Sequence, residues 1–183
     1  MVGADENGRR VSGRARGVAF VAVIAVVATL AIAGATLTSG NGGDSAGSAF
    51  EDPYRTATRA YQDRIEATKD RRAQAVEPDD AIALESYRAI LAATEAARRD
   101  YAAARPPAAE ADSYREFLTL LDQQVASLRQ AEKAAADKKR ADVLAALKLY
   151  GIQLARWIAL RQRFDALAGY EPAPGTAGTP TPV

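Results

Sequence analysis

The sequence predicts an all-α protein: one N-terminal transmembrane helix followed by an antiparallel three- or four-helix bundle with coiled-coil-like packing. Three observations carry this. An uncharged apolar run lies near the N-terminus, apolar residues recur at three- and four-residue spacing from about Tyr54 to Ala168, and proline or glycine cuts that pattern into pieces of helix length. The 183 residues, 48% hydrophobic and 26% charged, give room for one modest domain beside a membrane segment.

The apolar run comes first. No charge falls between Arg16 and Asp44, and the segment Gly17 to Leu37 is almost wholly apolar. Its roughly 21 residues reach about 32 Å at 1.5 Å each, enough to cross a hydrocarbon core of about 30 Å. The apolar core of a secretory signal is shorter, about 7 to 15 residues, so a retained anchor is expected. Cleavage near "AIA" or "AGA", at Ala31 to Ala35, is the alternative. Arg9, Arg10, Arg14 and Arg16 all precede the run and the next cation is Arg55. The positive-inside rule therefore puts the N-terminus in the cytoplasm and the bulk of the chain outside, in a single pass of the cell membrane. The expected division is a cytoplasmic basic tail over 1–16, a transmembrane helix over 17–38, and a Gly/Ser-rich flexible linker over 39–50. An extracytoplasmic helical bundle over 51–169 and a disordered Pro/Thr-rich tail over 170–183 complete it.

In the bundle, Asp52 and Pro53 read as N-cap and first helical residue. Tyr54, Thr58, Tyr61, Ile65, Thr68, Arg72 and Ala75 then form a narrow, rather polar face, which Pro78 ends. Asp79 or Asp80 caps a second helix with Ile82, Tyr87, Ile90, Leu91, Thr94, Ala97 and Tyr101 on one side, stopped by the proline pair at Pro106 and Pro107. Asp112 or Ser113 starts a third, with Tyr114, Phe117, Leu118, Leu121, Val125, Leu128 and Ala135 inward. "DKKRAD" (Asp137 to Asp142) is the turn to a fourth, where Val143, Tyr150, Trp157 and Phe164 fall one heptad apart beside Leu147, Leu154 and Ala168. Gly169 supplies the C-terminal cap.

Composition excludes much chemistry. Without cysteine or histidine there is no disulfide, no Ser–His or Cys–His nucleophile system, and no carboxylate–histidine metal site. No cofactor, no metal and no enzymatic activity are expected. The formal net charge of +1, with about +2 of it on the first 16 residues, builds no basic face for nucleic acid. The acidic stretches "EPDD" (Glu77 to Asp80) and "EADSYRE" (Glu110 to Glu116) lack the order of a calcium loop and fall where helix N-termini need caps. The stripe Tyr150, Trp157 and Phe164 is the one candidate site. Its helical spacing reads first as core, and second as the lining of a groove for an apolar ligand. Arg161 breaks this seam and is expected to snorkel outward.

From "RPPAAEADSYREFLTLLDQQ" at Arg105 through "LKLYGIQLARWIALRQRFDALAG", ending at Gly169, the chain resembles small, uncharacterised helical envelope proteins of actinobacteria. The similarity lies in a proline pair, two amphipathic helices and a leucine-rich close on glycine. It covers about the last third, implies envelope placement and a helical fold, and carries over no functional residue. The expected role is a membrane-anchored, non-enzymatic module, held to the lipid bilayer through residues 17–38, that binds or positions an unknown envelope protein. A helical bundle binding a small apolar ligand is the alternative.

Overall fold

A computed structural model describes residues 36–37, 45–75 and 77–171, with five α-helices among them: α1 Ser45–Glu66, α2 Lys69–Gln74, α3 Ala81–Tyr101, α4 Ala111–Ala136 and α5 Arg140–Leu167. A 3₁₀ turn, Ala108–Glu110, leads into α4. Two-residue strands, β1 Thr36–Leu37 and β2 Tyr170–Glu171, pair antiparallel with Leu37 opposite Tyr170. The topology-setting Arg9, Arg10, Arg14 and Arg16, and nearly all of the expected membrane span, lie outside the described residues. Thr36 and Leu37, assigned to the end of that span, are in the short ladder instead.

The helices run alternately up and down. Arg88 meets Glu132 while Arg98 meets Asp122, so α3 and α4 are antiparallel; Ser127 meets Gln153 while Glu116 meets Arg156, so α4 and α5 are too. Tyr61 packs on Trp157 and Tyr54 on Phe164, which sets α1 antiparallel to α5 and closes the bundle. The core has two ends of different character. Where α1 begins and α5 finishes it is aromatic, with Phe50, Tyr54, Tyr101, Tyr114, Phe117, Trp157 and Phe164 buried together. At the far end it is alanine-rich, with Ala83, Ala131, Ala134, Ala135 and Ala146 around Tyr87, Val143 and Leu147.

Several helix boundaries correct the sequence expectation. α1 starts at Ser45, so the expected 39–50 linker is helical over its last six residues and Asp52 is no N-cap. Pro53 sits inside the helix, where it cannot donate to the carbonyl of Ala49. That carbonyl accepts instead from the backbone N–H of Arg105, 3.2 Å away on the turn after α3. A tertiary hydrogen bond thus replaces the one proline removes, and Phe50 is carried into the core at 2% exposure. α1 ends at Glu66, before Pro78; Thr58 on its face and Thr68 in the turn after it are buried and satisfied, Thr58 pairing with the Tyr101 hydroxyl and Thr68 donating to the Ile65 carbonyl.

Asp80 caps α3 as expected, one carboxylate oxygen accepting from the N–H of Ala83 at 2.6 Å. Ile82, assigned to the inner face, is exposed, and Ala83 takes its place. α4 has no side-chain cap. The acidic residues expected to cap it are ion-pair partners: Glu110 for Arg163, Glu116 for Arg156 and Asp112 for Arg115. On α4, Gln124 rather than Val125 faces inward, fully buried, with neither side-chain polar atom hydrogen-bonded among the described residues. The α4–α5 turn is Asp137 to Lys139, where Lys138 takes a left-handed φ of 56°. Gly169, at φ 71°, ends α5 as expected. The chain beyond it is not a free tail at first: Tyr170 is buried and its hydroxyl reaches the Arg55 carbonyl.

Candidate functional site

The aromatic stripe assigned from sequence is interior. Tyr150, Trp157 and Phe164 are 3%, 0% and 0% exposed. Trp157 stacks on Phe117 at 5.2 Å between ring centroids and meets Tyr61 edge-on at 5.6 Å; Phe164 meets Tyr114 edge-on at 5.0 Å. These are the separations of mutually packed rings, so the stripe's neighbours are other side chains of the bundle.

Arg161 corrects the sequence reading most sharply. It is 6% exposed and points inward, its guanidinium 5.6 Å above the Trp157 ring and its Nε 3.3 Å from Asp165 one turn on. The Asp165 carboxylate also accepts from the Tyr54 hydroxyl at 2.8 Å. On α1 the next residue, Arg55, donates from Nε to the carbonyl of Ala168 at 2.6 Å. Polar bonds therefore fasten the start of α1 to the end of α5 at the aromatic end of the core. Burial pushes the Asp165 carboxyl above its ordinary value, although the Arg161 cation and the hydrogen bonds from Tyr54 and Arg161 pull the other way. Burial is also the main cause that raises Tyr54, with the nearby Tyr101 and Asp165 adding to it. Snorkelling fails for Arg161 because its position, one turn from Trp157 toward the crowded aromatic end, is closed over by α1. The sequence signal that could have found this is Asp165 at i+4, which supplies a partner for a buried cation.

The outer face of α5 went unread in the sequence. Between Leu144 and Ala159 its exposed residues are Leu144, Ala145, Lys148, Leu149, Ile152, Ala155, Arg156 and Ala159, apolar or cationic throughout. Leu144, Leu149 and Ile152 are 44%, 45% and 53% exposed. With one apolar face in the core and another outside, α5 is, among the described residues, the one helix long and apolar enough to cross a membrane by length and composition. Leu149 and Ala145 also line an open groove of about 440 Å³ against α4, whose rim carries both signs of charge in Lys133, Asp137, Lys139 and Asp142. A signal for this face existed: α5 carries apolar residues on more than one face, and a helix of a small bundle can bury only part of its circumference.

The fold and these surfaces define a helical bundle with an aromatic core and an apolar, cationic outer strip. The chain matches no family model, no curated protein and no solved structure.

Proposed function

We propose that this chain is a membrane-anchored, non-enzymatic helical module that works outside the cytoplasm by binding or positioning another envelope protein. The observation that carries the reading is the contrast within α5. Its aromatic stripe is used up in packing, while large apolar side chains, Leu144, Leu149 and Ile152, stand outside the bundle. Isolated exposed apolar residues are ordinary, but three within nine residues on one helix face form a patch of the kind that serves association. The sequence supports the placement: an uncharged run long enough to span a bilayer, preceded by four arginines, with the resemblance to envelope proteins over the C-terminal third. The described bundle suits a tethered body, because β1 and β2 bring its first and last described residues together at its aromatic end.

Two measurements test the reading. The intact mass of protein extracted from membranes is expected to include residues 17–38. Single cysteines, placed in this cysteine-free chain at Gly8 and at exposed Ala126, are expected to be labelled by a membrane-impermeant maleimide only at the second position. A mature form starting near Gly34 to Thr36, or labelling at Gly8 in intact cells, overturns the anchor or its orientation.

A further inference from the structure

We infer that the outer face of α5 is the docking strip of this module, and that its occupant is an amphipathic helix of a partner protein carrying a carboxylate to meet Lys148. The inference rests on the binding-module reading above and adds where the partner sits and what it must carry. Its starting point is charge. Of the two cations in the strip, Arg156 is held by Glu116 at 3.2 Å. Lys148 stands one turn from both Leu144 and Ile152 and has no carboxylate partner among the described residues. Covering Leu144, Leu149 and Ile152 necessarily draws Lys148 toward a drier environment, which is costly for a lone ammonium and favourable for one that meets an anion. The occupant therefore pairs apolar side chains with a negative charge.

A second copy of this chain meets that condition less well. Between Leu144 and Ala159 the strip holds no carboxylate, and the groove carboxylates at its edge, Asp137 and Asp142, are already among the cations Lys133 and Lys139. An anionic bilayer fits poorly as well. The described N-terminal strand β1 lies with β2 beyond the C-terminal end of α5, whereas Leu149 is about 27 Å from Leu167 along the helix at 1.5 Å per residue. The patch is thus held away from the end where the tether enters. It also lacks the aromatic side chains by which interfacial helices anchor in lipid. A helix fits the relief: Ala145, Ala155 and Ala159 keep the surface low, so a partner axis can come close, and the open groove beside Leu149 admits one of its larger side chains.

The test uses the full-length chain in the cells that make it, with a photo-reactive benzoylphenylalanine at Ile152 and, as a comparison site, at exposed Arg99 on α3. The expected result is a light-dependent adduct from position 152 to one other protein, mapping by mass spectrometry to a helical segment with Asp or Glu within one turn of the link. Lys148→Glu is expected to lower its yield about tenfold and Lys148→Arg to preserve it, since the contact depends on the sign of the charge. Lys148 is exposed, so unchanged thermal melting of the variants confirms that folding is intact. Adducts to lipid, to a second copy or to the chain's own residues overturn the inference, as does a protein adduct indifferent to Lys148→Glu. A protein adduct from Arg99 with none from Ile152 overturns the strip and leaves the binding-module reading standing; no protein adduct from either site counts against both.

Discussion

Arg161 and Asp165 form an ion pair inside the bundle, 3.3 Å apart and one helical turn from each other, with Trp157 beneath the cation and Tyr54 donating to the anion. Both members lie on α5, and the Tyr54 hydrogen bond to Asp165 ties them to α1 where the two helices meet through long side chains. Removing either member alone strands a buried charge. Arg161→Met or Asp165→Asn is expected to cost about 3 to 5 kcal/mol in chemical denaturation, and the double variant Arg161→Met with Asp165→Leu to recover most of it. Additive losses in the double variant would deny the coupling.

The same pair gives a pH dependence of definite sign. The folded-state pKa of Asp165 is raised above its ordinary 3.8, so over that window the folded chain holds the proton more readily than the unfolded chain. The group's contribution is fully present below its unfolded pKa and is lost as pH rises through the folded one. Stability of the wild type relative to Asp165→Asn is therefore expected to increase as pH is lowered toward about 4. A relative decrease over that range would mean that the Arg161 cation outweighs burial.

The core tyrosines work at the other end of the scale. Burial holds Tyr54, Tyr87, Tyr101 and Tyr114 well above the ordinary value of 10.0. Their hydroxyls are committed: Tyr87 donates to the Pro78 carbonyl, Tyr114 to the Tyr101 carbonyl, and Tyr101 shares a hydrogen bond with Thr58. Folded pKa values above unfolded ones mean that stability is intact below about pH 10 and falls above it, by about 1.4 kcal/mol per pH unit for each such group. Ultraviolet titration should show these tyrosinates appearing together with loss of helical circular dichroism, rather than before it.

Trp157 reports on the filled core. Fully buried between Phe117 and Tyr61, it is expected to emit at short wavelength and to ignore added apolar compounds. Trp157→Ala should cost about 3 to 5 kcal/mol. Trp157→Phe should cost less, because it also removes an indole N–H that has no acceptor among the described residues. Saturable quenching by an apolar compound, with a rise in melting temperature, would restore the ligand-binding alternative.

The true start of the bundle is testable by truncation. Phe50 packs on Tyr54, Tyr114 and Phe164, so a fragment of residues 45–171 is expected to melt cooperatively at a higher temperature than one of residues 51–171. Phe50→Ala in the longer fragment should lose about 3 to 5 kcal/mol. Equal melting of the two fragments would make the first turns of α1 dispensable.

Much of this fold was legible from periodicity. The helices from Ala81 to Leu167, the Asp80 cap, the Gly169 terminus and the inward seam Val143, Tyr150, Trp157, Phe164 follow from spacing and from backbone chemistry that acts within a turn or two. What spacing could not convey is which partner each polar or awkward residue finds. Asp52 and Pro53 carry a true local start signal, and it is overridden because the Arg105 N–H, more than fifty residues away, takes the carbonyl that Pro53 leaves free. Arg161 has the composition of a surface residue and is interior because α1 covers it and Asp165 and Trp157 receive its charge. Sequence by itself therefore determined the helical class, the register of the last helix and the chemistry excluded by the lack of cysteine and histidine. Only the tertiary structure decided where the first helix begins, that Arg161 lies inside, and that α5 leaves an apolar face uncovered, since these depend on contacts between helices and local patterns record none of them.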